Sequence, residues 1–201
     1  MVVPIGRSLD GRPIVVERVG DPHGPRVLVV GCIHGNESAG LAVVRALERM
    51  HPDVDLWIVP NLNPDGYAAG TRGNARGVDL NRCWPVSQER EIRIARRLIL
   101  RLRPRATIWF HQHMDLVWAW GGSTAAGRVY ARAAGMRLYH HPWVEGSGTE
   151  WQNRRLPGTA AITVELPAGR LSPAQVRAQM RAVLAVARRM PSAARPRSSR
   201  A

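Results

Sequence analysis

An unbroken apolar run, Val27-Leu28-Val29-Val30, leads into Gly31-Cys32-Ile33-His34-Gly35-Asn36-Glu37. Four consecutive apolar residues suit a strand buried on both faces, as in the middle of a parallel sheet, and do not suit the alternation of a half-exposed strand. Such a strand needs covering layers on both sides, so its presence points to an α/β architecture. It ends in His34 and Glu37, three residues apart, with Gly35 between them to let the chain turn. Two metal-ligating side chains on one tight turn can converge on a single ion, and the carboxyl end of a central strand is where α/β sheets place their sites. Asn36 is expected to cap a helix from about Glu37 to Met50. By itself the pair also fits a surface histidine with a first-turn glutamate complementing a helix dipole. The rest of the chain decides between these.

The chain has 201 residues, 45% of them hydrophobic, enough for one domain with a substantial core. No apolar run reaches the roughly 18 to 20 residues that cross a bilayer. The opening Met1-Val2-Val3-Pro4-Ile5-Gly6-Arg7 lacks the charged-then-apolar layout of a secretion signal, and a cytoplasmic location is expected. Cys32 and Cys83 are too few for a disulfide scaffold. The formal net charge of +14 invites a nucleic-acid reading. All 29 basic residues are arginine and none is lysine, which points to coding bias more than to a phosphate groove. No specific nucleic-acid partner and no membrane association are expected.

Along the chain, Pro13 to Val19 reads as a short edge strand between turn signals. Val54 to Val59 reads as a core strand running into Asn61-Leu62-Asn63-Pro64-Asp65-Gly66, where Pro and Gly predict a loop. Residues 70–82 hold three glycines, three arginines and little apolar content, a long loop of the kind that often carries function. Gln88 to Arg101 has apolar residues at helical spacing, and Pro104 ends it. Ala106 to Phe110 is the next core strand and delivers His111. Residues 124–135 read as a helix, and 136–158 as an irregular loop covering a site. Ala160 to Val164 is a last core strand and delivers Glu165. Ser172, Pro173 and Gln175 make a capping box for a helix to about Arg189. The expected organisation is a single three-layer α/β/α domain over residues 1–190, with a mixed, largely parallel central sheet. Residues 191–201 read as a basic, disordered tail.

Each apolar strand thus ends in polar residues: His34 with Glu37, the Asn61 loop leading to Arg72 and Asn81-Arg82, His111, and Glu165. A hydrolytic zinc site needs three protein ligands, an open position for water, and a carboxylate outside the ligand set to take a proton. His34, Glu37 and His111 can supply the ligands to one zinc per chain, and Glu165 the proton acceptor. His113 follows the same strand, and two-residue alternation places it on the same side as His111, so the pattern does not separate them.

The ordered pieces His34-Gly35-Asn36-Glu37, Asn63-Pro64-Asp65-Gly66, Gly77-Val78-Asp79-Leu80-Asn81-Arg82, the strand-ending His111 and Val164-Glu165-Leu166 resemble the zinc metallocarboxypeptidase family. The compact length and the run from Thr71 to Arg82 are most similar to the bacterial murein peptide amidase branch, which cuts the γ-D-glutamyl bond to diaminopimelate in cell-wall peptides. The resemblance implies that His34, Glu37 and His111 bind zinc, with His111 preferred over His113. It implies that Glu165 is general base and then general acid. Arg72 would stabilise the oxyanion, with Arg76 as its competitor. Asn81 and Arg82 would hold the free carboxylate of a small peptide substrate. A zinc deacylase of N-acyl amino acids shares these features, and a non-catalytic arginine-rich binding protein is the alternative outside enzymes. The family's mobile tyrosine is replaced by the region of Trp151 and Asn153, with Tyr139 farther off. Cys83 stands where Asn is usual, Asp115 is a candidate to orient a ligand imidazole, and His140 and His141 read as loop residues.

Overall fold

Val27 and Val29 face one layer of helices, and Leu28 and Val30 face the other. That period-2 division of a single apolar strand between two cores fixes the architecture. The computed structural model describes residues 2–190 of the chain; the expected tail, 191–201, lies outside them. The strands are β1 (Val2–Arg7), β2 (Pro13–Gly20), β3 (Arg26–Val30), β4 (Asp55–Val59), β5 (Ala106–Ala119), β6 (Arg137–His140) and β7 (Ala160–Pro167). The helices are α1 (Gly40–Leu47), α2 (Pro64–Ala69), α3 (Arg90–Leu102), α4 (Thr124–Ala134), α5 (Gly148–Arg155) and α6 (Pro173–Arg189). Helices α1, α4 and α6 pack with Val27, Val29, Ile108 and Ile162 on one face. Helix α3 and the end of α5 pack with Leu28, Val30, Trp109 and Ala161 on the other. The three-layer α/β/α expectation holds.

The sheet is mixed. β1 and β2 pair antiparallel, as do β2 and β4, and the core pairs β3–β4 and β3–β5 are parallel. β5 runs beside β7 from Ala106 opposite Ala160 to His113 opposite Pro167. The register then reverses, with Leu116 opposite Glu165, Val117 opposite Val164 and Trp118 opposite Thr163. The chain turns back at Met114 and Asp115, so β7 is flanked on both sides by one strand, and the returning leg also pairs with β6.

Several expectations are corrected. The helix after β3 starts at Gly40, and its cap position is Ala39, not Asn36. A Cβ on Gly40 would lie 2.2 Å from the Gly31 carbonyl, so the helix begins where its backbone can dock on the strand end, leaving 31–39 as a site loop. β2 is not the edge strand, because β1 pairs outside it. Pro4 and Gly6 disguise β1 in the sequence, yet an edge strand tolerates both. Pro64 and Gly66 do not force a loop; both lie in α2, which Pro64 opens and Gly70 ends. Asn63 caps that helix by accepting from the Gly66 amide, and Gly70 is left-handed at its carboxyl end. The segment 136–158 is not all irregular, since it contains β6 and α5. The expected helix near 90, that over 124–135 and the Ser172 capping box are present. Among the described residues no helix is long and apolar enough to cross a membrane.

Candidate metal centre

Two loops that follow β3 and α2 meet the middle of β5. His34 and Glu37 come from the turn after β3, closed by a hydrogen bond from the Glu37 amide to the His34 carbonyl. Gly35 has no room for a side chain: a Cβ there would lie 2.0 Å from the Gly66 carbonyl carbon, so the turn is pressed against α2. Arg72, Asp79, Asn81 and Arg82 come from the long loop that follows α2, and His111 from the middle of β5.

The donor atoms of His34, Glu37 and His111 all lie within 4.8 Å of one another, and all three residues are buried. His34 Nδ1 is 2.9 Å from Glu37 Oε2, His111 Nδ1 is 3.0 Å from the same oxygen, and the two imidazole nitrogens are 3.1 Å apart. Ligands held by zinc at about 2.0–2.1 Å in tetrahedral geometry sit about 3.3 Å from one another, so the set fits that ion with a small opening. His34 Nε2 donates to Asp79 Oδ1 at 3.0 Å, which leaves its Nδ1 lone pair for a metal. Two imidazoles and one carboxylate are a donor set suited to zinc.

Asp79 is the residue that sequence reasoning quoted in a motif without giving it a role. It orients His34 and also accepts from Arg72 Nε at 2.9 Å, while Arg72 Nη1 donates to Glu37 Oε1 at 2.6 Å. Asp115, the candidate for such an orienting role, is exposed at the turn of β5. Burial alone would raise Glu37 and Asp79. Hydrogen bonds from His111 and His34 hold Glu37, and chiefly one from His34 holds Asp79, well below the usual carboxylate range. Burial lowers His111, whereas for His34 two carboxylate partners outweigh burial and raise it.

Glu165, near the end of β7, faces the same cavity. Burial, reinforced by the charge of Glu37, pushes its carboxyl up to about 7, and its Oε2 is buried without a hydrogen-bond partner. The cavity, of about 250 Å³, brings together His34, Glu37, His111, Arg72, Asn81, Arg82 and Glu165, so every expected site residue lines one space. Asn81 Oδ1 accepts from the Gly148 amide at 2.9 Å, and the amide nitrogen of Asn81 lies 3.4 Å from His111 Nε2. His113 is exposed at the rim while His111 is buried within. Arg76 pairs with Glu89 and faces away. The far wall is built by Trp118, Trp143, Val144, Ser147 and the hydroxyl pair Thr149–Thr163, whose oxygens are 2.8 Å apart. Trp143, Val144, Ser147 and Thr149 lie in the 136–158 segment expected to cover a site, whereas Trp118 was not read from the sequence because its place depends on β5 doubling back along β7. Trp151 stacks near Trp84, and Asn153 bonds the Ala161 backbone, so neither stands at the mouth.

The chain is thus a three-layer α/β/α protein with a His-Glu-His group that could hold a metal ion beside its sheet. Residues 1–96 match the model of the zinc carboxypeptidase family, as the motif resemblance implied. In sequence the chain is similar to carboxypeptidase SOL1 of Arabidopsis thaliana, 33% identical over 100 residues, 40% of this chain and 20% of that protein. It is also similar to the catalytic chain of carboxypeptidase N of Homo sapiens, 32% identical over 117 residues, 42% of this chain and 26% of that one. The matches thus span about a fifth to a quarter of those relatives. In structure it is similar to murein-tripeptide amidase from Escherichia coli O157, with TM-score 0.73 and 24% identity over 93% of this chain and 90% of that chain. Carboxypeptidase A from Helicoverpa armigera aligns with TM-score 0.76 and 19% identity over 94% of this chain and 68% of that one.

Proposed function

We propose that the chain is a zinc-dependent metallopeptidase or amidase that hydrolyses an amide bond in a small peptide with a free carboxylate. The observation that carries this is the convergence of His34, Glu37 and His111 beside Glu165, which lines the cavity that Arg82 also lines. A zinc ion bound there supplies Lewis-acid polarisation and lowers the pKa of water. In this reading Glu165 accepts the water's proton and returns it to the leaving amine, a role suited to a carboxyl poised near neutral pH. Arg72 stabilises the charge that develops on the carbonyl oxygen. Its two carboxylate partners hold the guanidinium in place while its exposed side lies along the cavity. Asn81 and Arg82 receive the substrate carboxylate; the guanidinium of Arg82 is anchored to the Asn81 carbonyl at 2.9 Å.

For the substrate we infer the γ-D-glutamyl-diaminopimelate bond of murein peptides, acted on in the cytoplasm. The structural likeness to a murein-tripeptide amidase over nearly the whole of both chains supports this reading. The test compares γ-linked murein peptides, C-terminal α-peptides and acyl amino acids with the zinc-loaded protein. Preferential release of diaminopimelate from the γ-linked peptide is expected; equal or better hydrolysis of α-peptides would remove the murein assignment and leave the hydrolase.

A further inference from the structure

Arg72 and Asp79 meet across a turn: Arg72 Nε donates to Asp79 Oδ2 at 2.9 Å, while residues 73–78 lie between them in the chain. Whatever closes that turn decides where both side chains stand at the metal centre. Asn74, 3% exposed, closes it. Its backbone amide donates to the Val78 carbonyl at 3.0 Å, and its carbonyl accepts from the Gly77 amide at 2.8 Å. Its side-chain oxygen accepts from the Arg76 and Val78 amides at 3.0 and 3.1 Å. The turn is tight, since a Cβ on Gly73 would lie 2.5 Å from the Gly77 carbonyl carbon. The one remaining polar group of Asn74, its side-chain nitrogen, donates to Glu89 Oε2 at 2.7 Å.

Glu89 is buried and does not line the metal-centre cavity. It stands at the cap position of α3, yet its side chain does not cap that helix. Both carboxylate oxygens turn to the site loop instead, Oε2 to Asn74 and Oε1 to Arg76. Its own backbone is fixed, the amide donating to Ser87 Oγ at 3.1 Å and the carbonyl accepting from the Arg93 amide at 3.0 Å. We propose that Glu89 is a positioning residue. Through Asn74 it locks the 74–78 turn, and the locked turn sets the Arg72–Asp79 pair. The buried, charge-assisted bond from Asn74 carries the effect; the Arg76 side chain is 55% exposed, and a solvated pair of that kind contributes little. Two consequences follow at the centre. The orientation of His34 by Asp79 depends on the lock whatever the reaction, whereas charge stabilisation by Arg72 rests on the proposed function.

The test uses the full-length protein and two readouts, zinc affinity by competition with a chelator and, in the zinc-loaded protein, kcat and KM for a γ-linked murein peptide. Glu89→Ala removes the acceptor. Asn74→Asp keeps the oxygen that closes the turn and replaces the donor. Each should weaken zinc binding about 3- to 10-fold, less than loss of Asp79 itself. Each should also lower kcat about tenfold or more with KM changed less than about threefold, because a displaced arginine acts on the transition state. Glu89→Gln keeps an acceptor for Asn74, and Arg76→Ala leaves the Asn74 bond in place, so both should stay within about threefold of wild type. Combining Asn74→Asp with Glu89→Gln restores a donor and acceptor in the reverse sense and should recover most of the loss. Wild-type zinc affinity and kcat in Glu89→Ala and Asn74→Asp overturn the proposal whatever happens to the melting temperature, since a merely structural role moves stability alone. Failure of the combined variant to recover overturns it too, and Asn74→Asp with its rescue carries the test if Glu89→Ala does not fold. Absence of turnover in wild type sinks the hydrolase reading, and the zinc affinities then decide the proposal by themselves.

Discussion

Asp79 and Glu165 are both carboxylates within reach of one metal centre, and their surroundings give them opposite tasks. Asp79 is held ionised by His34 and Arg72, so its place is to fix the imidazole; Asp79→Asn should weaken zinc binding about 10- to 100-fold in a competition titration with a chelator. Unchanged affinity would deny it that role. Glu165 is kept from ionising by burial and by Glu37. A bound dication lowers its pKa from the metal-free value of about 7, so the acid limb of kcat/KM should fall at or below pH 7. A rate that stays level down to pH 4 would contradict the base assignment. In the metal-free protein the sign is reversed for stability. A carboxyl whose folded pKa is raised stabilises the fold below its ordinary value, and that contribution is lost as pH rises through about 7. Thermal melts of metal-free protein should therefore lose stability from pH 5 to 8 through this group, and Glu165→Gln should reduce that loss. The motif resemblance implied the proton-transferring role for Glu165, whereas Asp79 stood in a motif without a role, since its task depends on which partners the folded loop brings.

At the scale of elements, the strand ends carry the site and the turns set its geometry. Gly35→Ala would drive a methyl group into the Gly66 backbone, and zinc affinity should drop even though no ligand changes; retention of wild-type affinity would show that the turn can yield. At the other end of the sheet, the buried Asp55 on β4 receives Arg18 Nε at 2.6 Å and Arg26 Nε at 2.8 Å. Burial would raise its carboxyl, but the two arginines hold it below the usual range. Its stabilisation is present above the ordinary carboxylate pKa and is lost as pH falls through the lowered one. Asp55→Asn should cost about 1–3 kcal/mol at pH 7 in denaturant unfolding, and less in acid. The core strands were legible because β3, β4, β5 and β7 are short apolar runs of the length a sheet buries. The edge strand β1, the small helix α2 and the return of β5 were not. Pro and Gly mask the first two, and the third is a long-range pairing with β7 that no local pattern records. The same return explains why His111 and His113, two apart and expected on one side, part company at the turn: one is buried at the metal centre and the other exposed at its rim.

Over the whole molecule, the three layers place His34, Glu37, Arg72, Asn81, Arg82, His111 and Glu165 around one cavity, and the solved structures it resembles share that fold. The arginine-only basicity contributes no residue to the centre beyond Arg72 and Arg82. The convergence of His34, Glu37 and His111 predicts a single bound zinc. Its most direct test is metal content by mass spectrometry on untagged protein, for wild type, His111→Ala, His113→Ala and Glu165→Gln. About one zinc per chain is predicted in the wild type, His113→Ala and Glu165→Gln proteins, with loss in His111→Ala. Zinc retained without His111, or absent from wild type even after reconstitution, would contradict the account.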